Sequence, residues 1–439
     1  MAISIMWFRR DLRLADNPAL MAAVDAGDDV VPLFVLDPRL WRPAGPSRRS
    51  YLLASLAALS ERIGGLVVRS GDPAEVVPAV AAEVDAEEVF VAADFGPYGA
   101  RRDQGVEEAL QDGGGRRLVR RGSPYAVEPG EVRNQQDGGY QVFTPFSRAW
   151  REHGWPDPLP VSRDVNWLLD LPGDDLPEVE RPDGIHLPPA GEAAARRRWH
   201  QFLETGLATY SSSRDYPGRN TTSRMSVHLK WGEIHPRTML ADLRERRGES
   251  RQRYETELAW REFYADVLAR RPDSARDYYR PELASMSYAE PGAHFDAWRE
   301  GRTGYPIVDA GMRQLRSEGW MHNRVRMIVA SFLVKDLHIE WQHGARHFMR
   351  WLVDGDLASN QHGWQWTAGC GTDAAPYYRV FNPIEQGKKF DPDGAYIRRH
   401  VPELRELPTA QLHQPHDPIV DHATERREAL ARYEAVRNR

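Results

Sequence analysis

The chain has 439 residues, of which 41% are hydrophobic and 28% are charged, and its 58 basic and 64 acidic residues give a net charge of −6. This composition is typical of a globular protein, and the length predicts two or three domains at roughly 100–200 residues each. The single cysteine, Cys370, excludes an intrachain disulfide and a cysteine-rich metal cluster. No apolar stretch approaches the ~20 residues that span a bilayer. The arginines near the start follow a very short apolar segment, the reverse of a secretory signal, so we expect a cytoplasmic protein.

The first third of the chain predicts alternating strands and helices. Four apolar runs are typical of buried strands, at residues 3–8, 30–36, 66–69 and 88–92. Segments with helical spacing or helix-start residues follow each of them, at 17–25, 50–63, 73–84 and 101–111. This alternation predicts an α/β domain with a doubly wound parallel sheet, whose ligands bind beyond the carboxyl ends of the strands. No GxGxxG dinucleotide motif follows any strand.

Three regions follow from the pattern along the chain. We predict an α/β domain over residues 1–130, an interdomain linker over 131–190 and an all-α domain over 191–439. Residues 151–190 of the linker are rich in proline and have little periodicity. Helical spacing dominates the last region, for example at 254–270, 308–317 and 322–337, and most of the 14 tryptophans lie there.

Basic residues are concentrated in the helical region. Residues 311–350 carry seven Arg or Lys against three acidic residues, and residues 210–230 carry four against Asp215 alone. Basic side chains interleaved with aromatic rings are typical of a nucleic-acid groove. Charge alone fits a solvated helical surface equally well.

Three short motifs are candidates for binding chemistry. Residues 221–226 place hydroxyls ahead of a helical segment, which suits a phosphate but also an ordinary helix N-cap. Asp354 and Asp356 flank a glycine between apolar helices, and buried carboxylates need donors such as a metal, arginines, ribose hydroxyls or ring NH groups. The EF-hand ligand spacing does not continue there, and Arg326 offers a protein partner.

The third motif lies on one predicted helix. Glu257, Trp260 and Arg261 stand at i, i+3 and i+4 and therefore share a face. A carboxylate beside a large aromatic ring suits a flat ligand, although a surface ion pair beside a core tryptophan is the commoner arrangement.

Five segments of the chain resemble the photolyase/cryptochrome family, closest to its class I photolyases for cyclobutane pyrimidine dimers. They are MWFRRDLRLADNPAL (6–20), TSRMS (222–226), ELAWREFYADVL (257–268), GYPIVDAGMRQLRSEGWMHNRVRMIVASFLVKDL (304–337) and DGDLASNQHGWQWTAGCGTDAAPYYRVFNP (354–383). The resemblance covers essentially the whole chain. It implies that the helical domain binds FAD and that the α/β domain holds a light-harvesting chromophore.

The resemblance also implies which residues bind the flavin. Residues 222–226 match the segment that holds the flavin phosphates, and Asn360 matches the residue that faces flavin N5, where one hydrogen bond tunes the cofactor. The expected set comprises Tyr210, Thr222, Ser223, Arg224, Met225, Ser226, Tyr254, Glu257, Arg261, Arg326, Asp354, Asp356 and Asn360.

The implied activity is a light-driven lyase that repairs DNA. Excited FADH⁻ donates an electron to a pyrimidine dimer, the cyclobutane bonds break and the electron returns. The dimer would lie against Glu257, Trp260, Asn323, Met327 and Trp366, with the tryptophans as flat apolar walls for a flipped-out dimer. The six-four photolyases have a histidine at the position of Asn323. His322 is one residue away, which turns its side chain by ~100° on a helix.

Further residues are assigned by the same resemblance. DNA contacts are expected from Arg214, Trp260, Asn323, Arg324, Arg379 and Gln386. Electron transfer to the flavin is expected through Trp364 and Trp341 and then Tyr288, with Trp298 as the alternative end of the path.

The antenna chromophore is expected to be an 8-hydroxydeazaflavin or another flavin-like molecule. Methenyltetrahydrofolate binding calls for a glutamate and a lysine where this chain has Gly99 and Tyr278. Four residues instead resemble the deazaflavin-binding type, namely Leu36, Asp37, Arg48 and Lys230.

Two other functions share this pattern. A blue-light receptor of the cryptochrome type would bind the same flavin, and a six-four photolyase would repair a different lesion. The complete dimer-facing wall and the short chain after Asn382 favour repair of cyclobutane dimers. We expect damaged DNA as partner, a monomer, and neither a metal nor a membrane partner.

Overall fold

The computed structural model describes residues 2–160, 164–179, 184–373 and 378–438. Parts of the predicted linker, at 161–163 and 180–183, and of the 354–383 motif, at 374–377, lie outside the described residues. No helix in the described ranges is long and apolar enough to cross a membrane.

A parallel sheet of five strands forms the amino-terminal region, in the order β3-β2-β1-β4-β5. The strands are β1 (Ile3–Phe8), β2 (Asp29–Leu36), β3 (Val67–Ser70), β4 (Glu88–Val91) and β5 (Arg117–Arg120). In the register, Ile5 of β1 lies opposite Val31 of β2 and Val89 of β4. The predicted parallel sheet is confirmed. The edge strand β5 was not predicted, because its sequence RLVR has only two apolar residues between arginines.

Helices cover both faces of the sheet. They are α1 (Pro18–Ala26), α2 (Pro38–Trp41), α3 (Pro46–Ile63), α4 (Pro73–Glu83) and α5 (Pro97–Asp112). Helices α1 and α3 contribute to the apolar cluster on one face, and α4 and α5 to the cluster on the other. Asn17 caps α1 by accepting from the Leu20 amide at 3.2 Å, and Gly64, in the left-handed region at φ 84°, ends α3.

The segment predicted as a plain linker contains regular structure and packs on both domains. Helix α6 (Phe143–His153) buries Phe146 and Trp150 in the apolar cluster of the helical region. Further along, Trp167 forms a parallel bridge with Val30 of the sheet. The high proline content of 151–190 marks the irregular part, whereas the aromatic residues on one face explain α6.

The carboxy-terminal region is helical. Its α-helices are α7 (Glu192–Thr205), α8 (Tyr210–Ser213), α9 (Ser226–Trp231), α10 (Pro236–Arg244), α11 (Glu249–Arg270), α12 (Ala293–Glu300), α13 (Pro306–Glu318), α14 (Asn323–Ser331), α15 (Trp341–Trp351), α16 (Leu357–Ala368), α17 (Pro383–Phe390), α18 (Ala395–His400), α19 (Thr409–Leu412) and α20 (His422–Arg437). Short 3₁₀ turns lie at Leu207–Thr209, Pro272–Ala275, Pro281–Ser285 and Pro402–Leu404.

The predicted helix at 322–337 is shorter than expected. His322 precedes α14 as its N-cap and accepts from the Arg324 amide at 3.2 Å. At its other end α14 passes into a π-helical turn, Phe332–Asp336. A π turn inserts one residue into the helical register, which the spacing of the apolar residues did not reveal.

A buried carboxylate joins the two domains. Glu233 is fully buried and accepts from Ser55 Oγ at 2.6 Å and Tyr51 OH at 2.9 Å, both on α3. On the helical side it accepts from the Gly191 amide at 2.6 Å and lies 2.5 Å from His228 Nδ1. All the lone pairs of this carboxylate are therefore used in holding α3 against α9.

We predict that Glu233→Ala destabilises the protein by about 3–5 kcal/mol, because it leaves buried donors on both domains unpaired. The free energy of unfolding, measured with urea, checks this against Glu61→Ala, which removes an exposed glutamate of α3. Equal losses in the two variants would contradict it.

Candidate functional site

The two aspartates of the DGD motif are buried and paired with arginines. Asp354 accepts from Arg326 Nη2 at 2.8 Å, as predicted from the motif. Asp356 accepts from Arg10 Nη2 at 2.7 Å and caps α16 through the Ser359 amide at 3.1 Å. Asp354 Oδ1 is also buried, and it has no hydrogen-bond partner among the described residues. This oxygen is available to a ligand.

The surroundings of Asp356 are strongly cationic. Burial raises the pKa of this carboxyl, but the lowering by Arg10, Lys230 and Arg261 outweighs it. The net pKa lies well below its usual range. For Lys230, burial and the neighbouring Arg10 and Arg48 hold the pKa well below the usual value for an amine. Several cations thus share few carboxylates at the boundary between the domains, which suits an anionic ligand.

Gly355 lies against the Arg48 guanidinium, which a side chain at position 355 would push aside. A Cβ at this position would lie 2.6 Å from Arg48 Nη1, which donates to the Met349 carbonyl at 2.8 Å. The close approach brings Arg48, an expected antenna residue, to the loop that carries Asp354 and Asp356.

The hydroxyl-rich segment before α9 is held from behind. Arg198 donates to the carbonyl oxygens of Thr222 at 2.7 Å and Ser223 at 2.8 Å. Ser223 Oγ lies 2.8 Å from Tyr254 OH, and the Tyr254 ring packs edge-on against Tyr210. These contacts fix the segment by its carbonyl groups, and within it the Met225 amide donates to Ser223 Oγ at 3.3 Å.

The rest of that segment turns at Arg224. This residue has a positive φ of 55°, pairs with Glu318 at 3.0 Å and stacks over Trp320 at 4.4 Å. Met225 is buried, whereas Ser226 is exposed and accepts from Trp320 Nε1 at 3.3 Å. The turn therefore places the Ser226 hydroxyl at the surface of the site.

Helix α11 carries Glu257, Trp260 and Arg261 on one face, as predicted. Arg261 donates to the Pro124 carbonyl at 2.9 Å, so it reaches back to the end of the α/β region. Trp260 is half-buried and stacks on Phe143, with ring centroids 3.6 Å apart and planes 7° apart. Glu257 accepts a hydrogen bond from Arg214 Nη1.

Glu257 belongs to a chain of alternating charges. Arg214, its partner, lies 3.9 Å from Asp215, and Asp215 pairs with Arg324 at 2.9 Å. Arg324 also contacts Met327 Sδ at 3.9 Å. The structure thus brings together residues predicted for the dimer pocket and residues predicted for DNA contacts.

Trp366, Asn323 and the remaining DNA candidates differ in exposure. Trp366 is half-buried and donates to the Asp373 carbonyl at 3.1 Å. Asn323, the first residue of α14, is exposed, as is Arg379, whereas Gln386 on α17 is half-buried.

Asp373, which accepts from Trp366, also bonds to the start of α6 and the residues just before it. The Asp373 amide donates to the Gln141 carbonyl at 3.2 Å, and its carboxylate accepts from the Phe143 amide at 3.4 Å. Trp366 and Trp260 are therefore both anchored to residues 141–143.

Of the residues predicted for the electron path, Trp364, Trp341 and Trp298 are buried and Tyr288 is half-buried. The ring of Trp364 lies 6.1 Å from that of Trp298. Trp341 lies 6.1 Å from Tyr278, which in turn lies 6.4 Å from Tyr288. Tyr288 is thus half-buried with a ring neighbour at Tyr278, whereas Trp298, the alternative end, is fully buried beside Trp364.

The four expected antenna residues form two groups. Leu36 and Asp37 lie at the carboxyl end of β2, where Asp37 accepts from Tyr98 OH. Arg48 and Lys230 lie instead beside Asp356, nearer to the domain boundary.

Sequence reasoning missed two arginines that shape this site. Arg10 pairs with Asp356 across 346 positions of the chain, and Arg198 holds the hydroxyl-rich segment. Arg10 lies inside the first motif that carries the family resemblance, directly after β1, where a parallel sheet binds ligands. That position was the available signal for Arg10. Arg198 stands in a run of three arginines, and nothing in the sequence distinguishes it from the other two.

Comparisons with known proteins agree with this architecture. Two family models match, "DNA photolyase" over residues 4–163 and "FAD binding domain of DNA photolyase" over residues 254–435. The deoxyribodipyrimidine photo-lyase of Halobacterium salinarum is 40% identical, over 99% of this chain and 99% of its own. A bacterial class III photolyase from Agrobacterium tumefaciens has a similar structure, with TM-score 0.93, 36% identity and coverage of 100% of this chain and 98% of that one.

A second similar structure is an archaeal photolyase from Sulfolobus tokodaii. Its TM-score is 0.85 at 30% identity, over 99% of this chain and 100% of that one. It holds two FAD molecules and is described as implying a novel light-harvesting cofactor.

The fold and the matches together define a two-domain flavoprotein, with an α/β domain packed on a helical FAD-binding domain. The chain belongs to the DNA photolyase family. The predicted resemblance and fold class are confirmed. Membership of class I stays a prediction, since one similar structure is called a class III photolyase.

We predict that Arg10→Met destabilises the protein by about 3 kcal/mol at pH 7, because it leaves Asp356 without its nearest cation. The lowered pKa of Asp356 means that its stabilisation is present above its unfolded pKa of about 4 and is lost as the pH falls below that value. The variant should therefore lose less stability than the wild type on acidification from pH 7 to pH 3. Unfolding in urea at both pH values measures this.

The matched control is Arg39→Met, which breaks an exposed ion pair with Asp72. Such pairs contribute about 0–1 kcal/mol. An acid dependence of Arg10→Met equal to that of the wild type would contradict the role of this pair.

Proposed function

We propose that this protein is a light-driven DNA-repair lyase that splits cyclobutane pyrimidine dimers with reduced FAD as its electron donor. The observation that carries the proposal is the joining of two sets of residues. Glu257 and Trp260, which suit a flipped pyrimidine dimer, lie on the same face of α11 as Arg261, and Glu257 connects through Arg214 to the basic DNA candidates. The curated relatives are named deoxyribodipyrimidine photo-lyases.

The donor set of the site fits FAD. A flavin with its ribose and adenosine offers NH and hydroxyl donors, and the buried, unpartnered Asp354 Oδ1 can accept from one of them. Its pyrophosphate needs donors and positive charge. The Ser226 hydroxyl and the amides of residues 222–226 other than that of Met225 supply donors, and Arg224 and Arg261 supply charge. When bound, reduced FAD supplies the electron for bond cleavage.

Each remaining flavin candidate has a defined task. Tyr210 and Tyr254 form the aromatic wall behind the phosphate segment. Arg326 holds Asp354 so that only one carboxylate oxygen is left for the ligand. Asp356 holds the start of α16, and Asn360 stands one turn further along that helix.

The dimer pocket works by stacking and polar recognition. Trp260 and Trp366 offer half-buried indole surfaces, which suit bases taken out of the duplex. Glu257 hydrogen-bonds to the pyrimidines and Met327 contributes apolar contact, with Asn323 at the entrance. Fixed polar groups matter most where charge develops in a water-poor pocket.

DNA binds at the surface that carries Arg324, Arg214, Arg379 and Gln386. Arg324 is partly exposed and stacks over Phe390, which orients the guanidinium. Asp215 neutralises it in the free protein, so a DNA phosphate replaces this carboxylate on binding.

Electrons for flavin reduction pass through Trp364 and Trp341 to Tyr288, or through Trp364 to Trp298. The ring contact between Trp364 and Trp298 supports the second route, and the Trp341–Tyr278–Tyr288 series supports the first.

The antenna is a flavin-like anion, of the 8-hydroxydeazaflavin type, bound beyond the carboxyl ends of the strands. Arg48 supplies positive charge for it, Lys230 lies beside Arg48, and Asp37 lies at the end of β2. The second FAD of the Sulfolobus tokodaii protein supports a flavin-like molecule in this role.

A single experiment tests the activity. The purified protein should carry FAD, seen in its absorption spectrum, and after reduction it should restore dimer-containing DNA under blue light and not in the dark. Flavin without repair would favour the receptor alternative, and a protein without flavin would refute both.

We predict that Glu257→Ala mainly lowers the quantum yield of repair, whereas Trp260→Ala mainly weakens the preference for damaged over intact DNA. Loss of the stacking contact costs about 1–3 kcal/mol of damaged-site binding. Both quantities are measured on reduced protein with matched flavin occupancy, and Trp41→Ala serves as control, a half-buried tryptophan of the α/β domain. A Trp260→Ala protein with full selectivity would show that the pocket lies elsewhere.

We predict that Arg324→Ala weakens binding to damaged duplex DNA. It should also make the negative slope of log K against log salt shallower by about 0.9, the value for one phosphate contact. Titrations between 50 and about 200 mM salt measure the slope. Arg62→Ala, an exposed arginine on α3, should leave it unchanged. An unchanged slope for Arg324→Ala would remove this residue from the phosphate contacts.

A further inference from the structure

The side-chain amide of Asn360 is oriented by its neighbours. Its Nδ2 donates to the Ala345 carbonyl at 3.2 Å and to Gln361 Oε1 at 2.8 Å. An amide nitrogen has two protons, and both are used here. The polar atom that Asn360 can offer to a ligand is therefore its carbonyl oxygen, Oδ1.

The orientation of Gln361 follows from a second carbonyl group. Gln361 is buried, and its Nε2 donates to the Ala275 carbonyl at 2.5 Å. A backbone carbonyl only accepts hydrogen bonds, so the nitrogen of Gln361 must face Ala275 and its oxygen must face Asn360. The carbonyl of Ala345 imposes the same orientation on Asn360 from the other side.

We propose that Gln361 is a positioning residue that presents the carbonyl oxygen of Asn360, and not its NH₂ group, to flavin N5. The inference rests on the proposed function, which places a flavin beside Asn360. A carbonyl oxygen accepts from N5–H and therefore favours reduced flavin, whereas an NH₂ group donates to unprotonated N5 and favours oxidised flavin. Gln361 thus biases the cofactor towards the reduced state that repair requires.

Gln365 provides a matched control. It is fully buried one turn further along α16, and it is bound to the same 274–279 segment. Its Nε2 donates to the Ser274 carbonyl at 2.8 Å, and its Oε1 accepts from the Tyr279 amide at 2.7 Å. A substitution there disturbs the same packing without changing the partners of Asn360.

The experiment compares Gln361→Met, Gln361→Asn, Gln365→Met and Asn360→Ala as purified, flavin-loaded proteins. The midpoint potential of the bound flavin is measured by equilibration with redox dyes, and the half-time of reoxidation in air is measured in the dark. Asn360→Ala should shift the balance towards oxidised flavin by up to about tenfold, which is about 30 mV for a two-electron couple. Both Gln361 variants should shift it in the same direction by a smaller factor, since Ala345 still holds one proton of Asn360.

Gln365→Met should match the wild type in potential and in reoxidation. The inference is overturned if the Gln361 variants match the wild type while Asn360→Ala is shifted, or if the Gln361 and Gln365 variants shift equally. It is also overturned if Asn360→Ala binds flavin with an unchanged potential. A wild-type protein that binds no flavin would refute the proposed function itself.

Discussion

The need to pair two buried carboxylates determines how the candidate site is built. Asp354 and Asp356 lie at the start of α16, and each would be costly to bury without a cation. Arg326 comes from the helical domain, but Arg10 comes from the loop after β1. The second pair therefore couples the carboxyl edge of the parallel sheet to the helix that carries Asn360. The Arg10–Asp356 contact thus lies both between the domains and within the candidate site.

The strongest periodic signals gave correct predictions of the fold. The buried strands β1 and β2 and the long helix α11 follow from apolar runs and helical spacing. The edge strand β5 and the π turn did not follow, because an edge strand needs few apolar residues and an inserted residue is decided by packing. The pairing of Asp354 with Arg326 followed from a short motif and its charge. The pairing of Asp356 with Arg10 did not, since no local pattern selects one partner among 58 basic residues.

Ion pairs at the surface proposed to bind DNA limit how tightly DNA can bind there. Arg214 and Arg324 each have a carboxylate partner in the free protein, Glu257 and Asp215 respectively. A phosphate that binds either arginine must displace that carboxylate, so the net gain is a difference between two similar ion pairs. Under the proposed function, binding to undamaged DNA is therefore weak, and selectivity depends on the contacts that only a flipped lesion makes with the proposed aromatic pocket.

Both proposed aromatic walls contact, directly or through Asp373, a segment within the predicted interdomain region 131–190. Phe143 stacks on Trp260, and the backbone of Gln141 and Phe143 bonds to Asp373, whose carbonyl accepts from Trp366. Both tryptophans are thus held by contacts with one short stretch of chain and not by contact with each other. A planar ligand gains stacking energy on two walls only if their separation is held within a fraction of an ångström. The contacts of residues 141–143 hold both tryptophans, so under the proposed function this stretch of chain is part of the pocket.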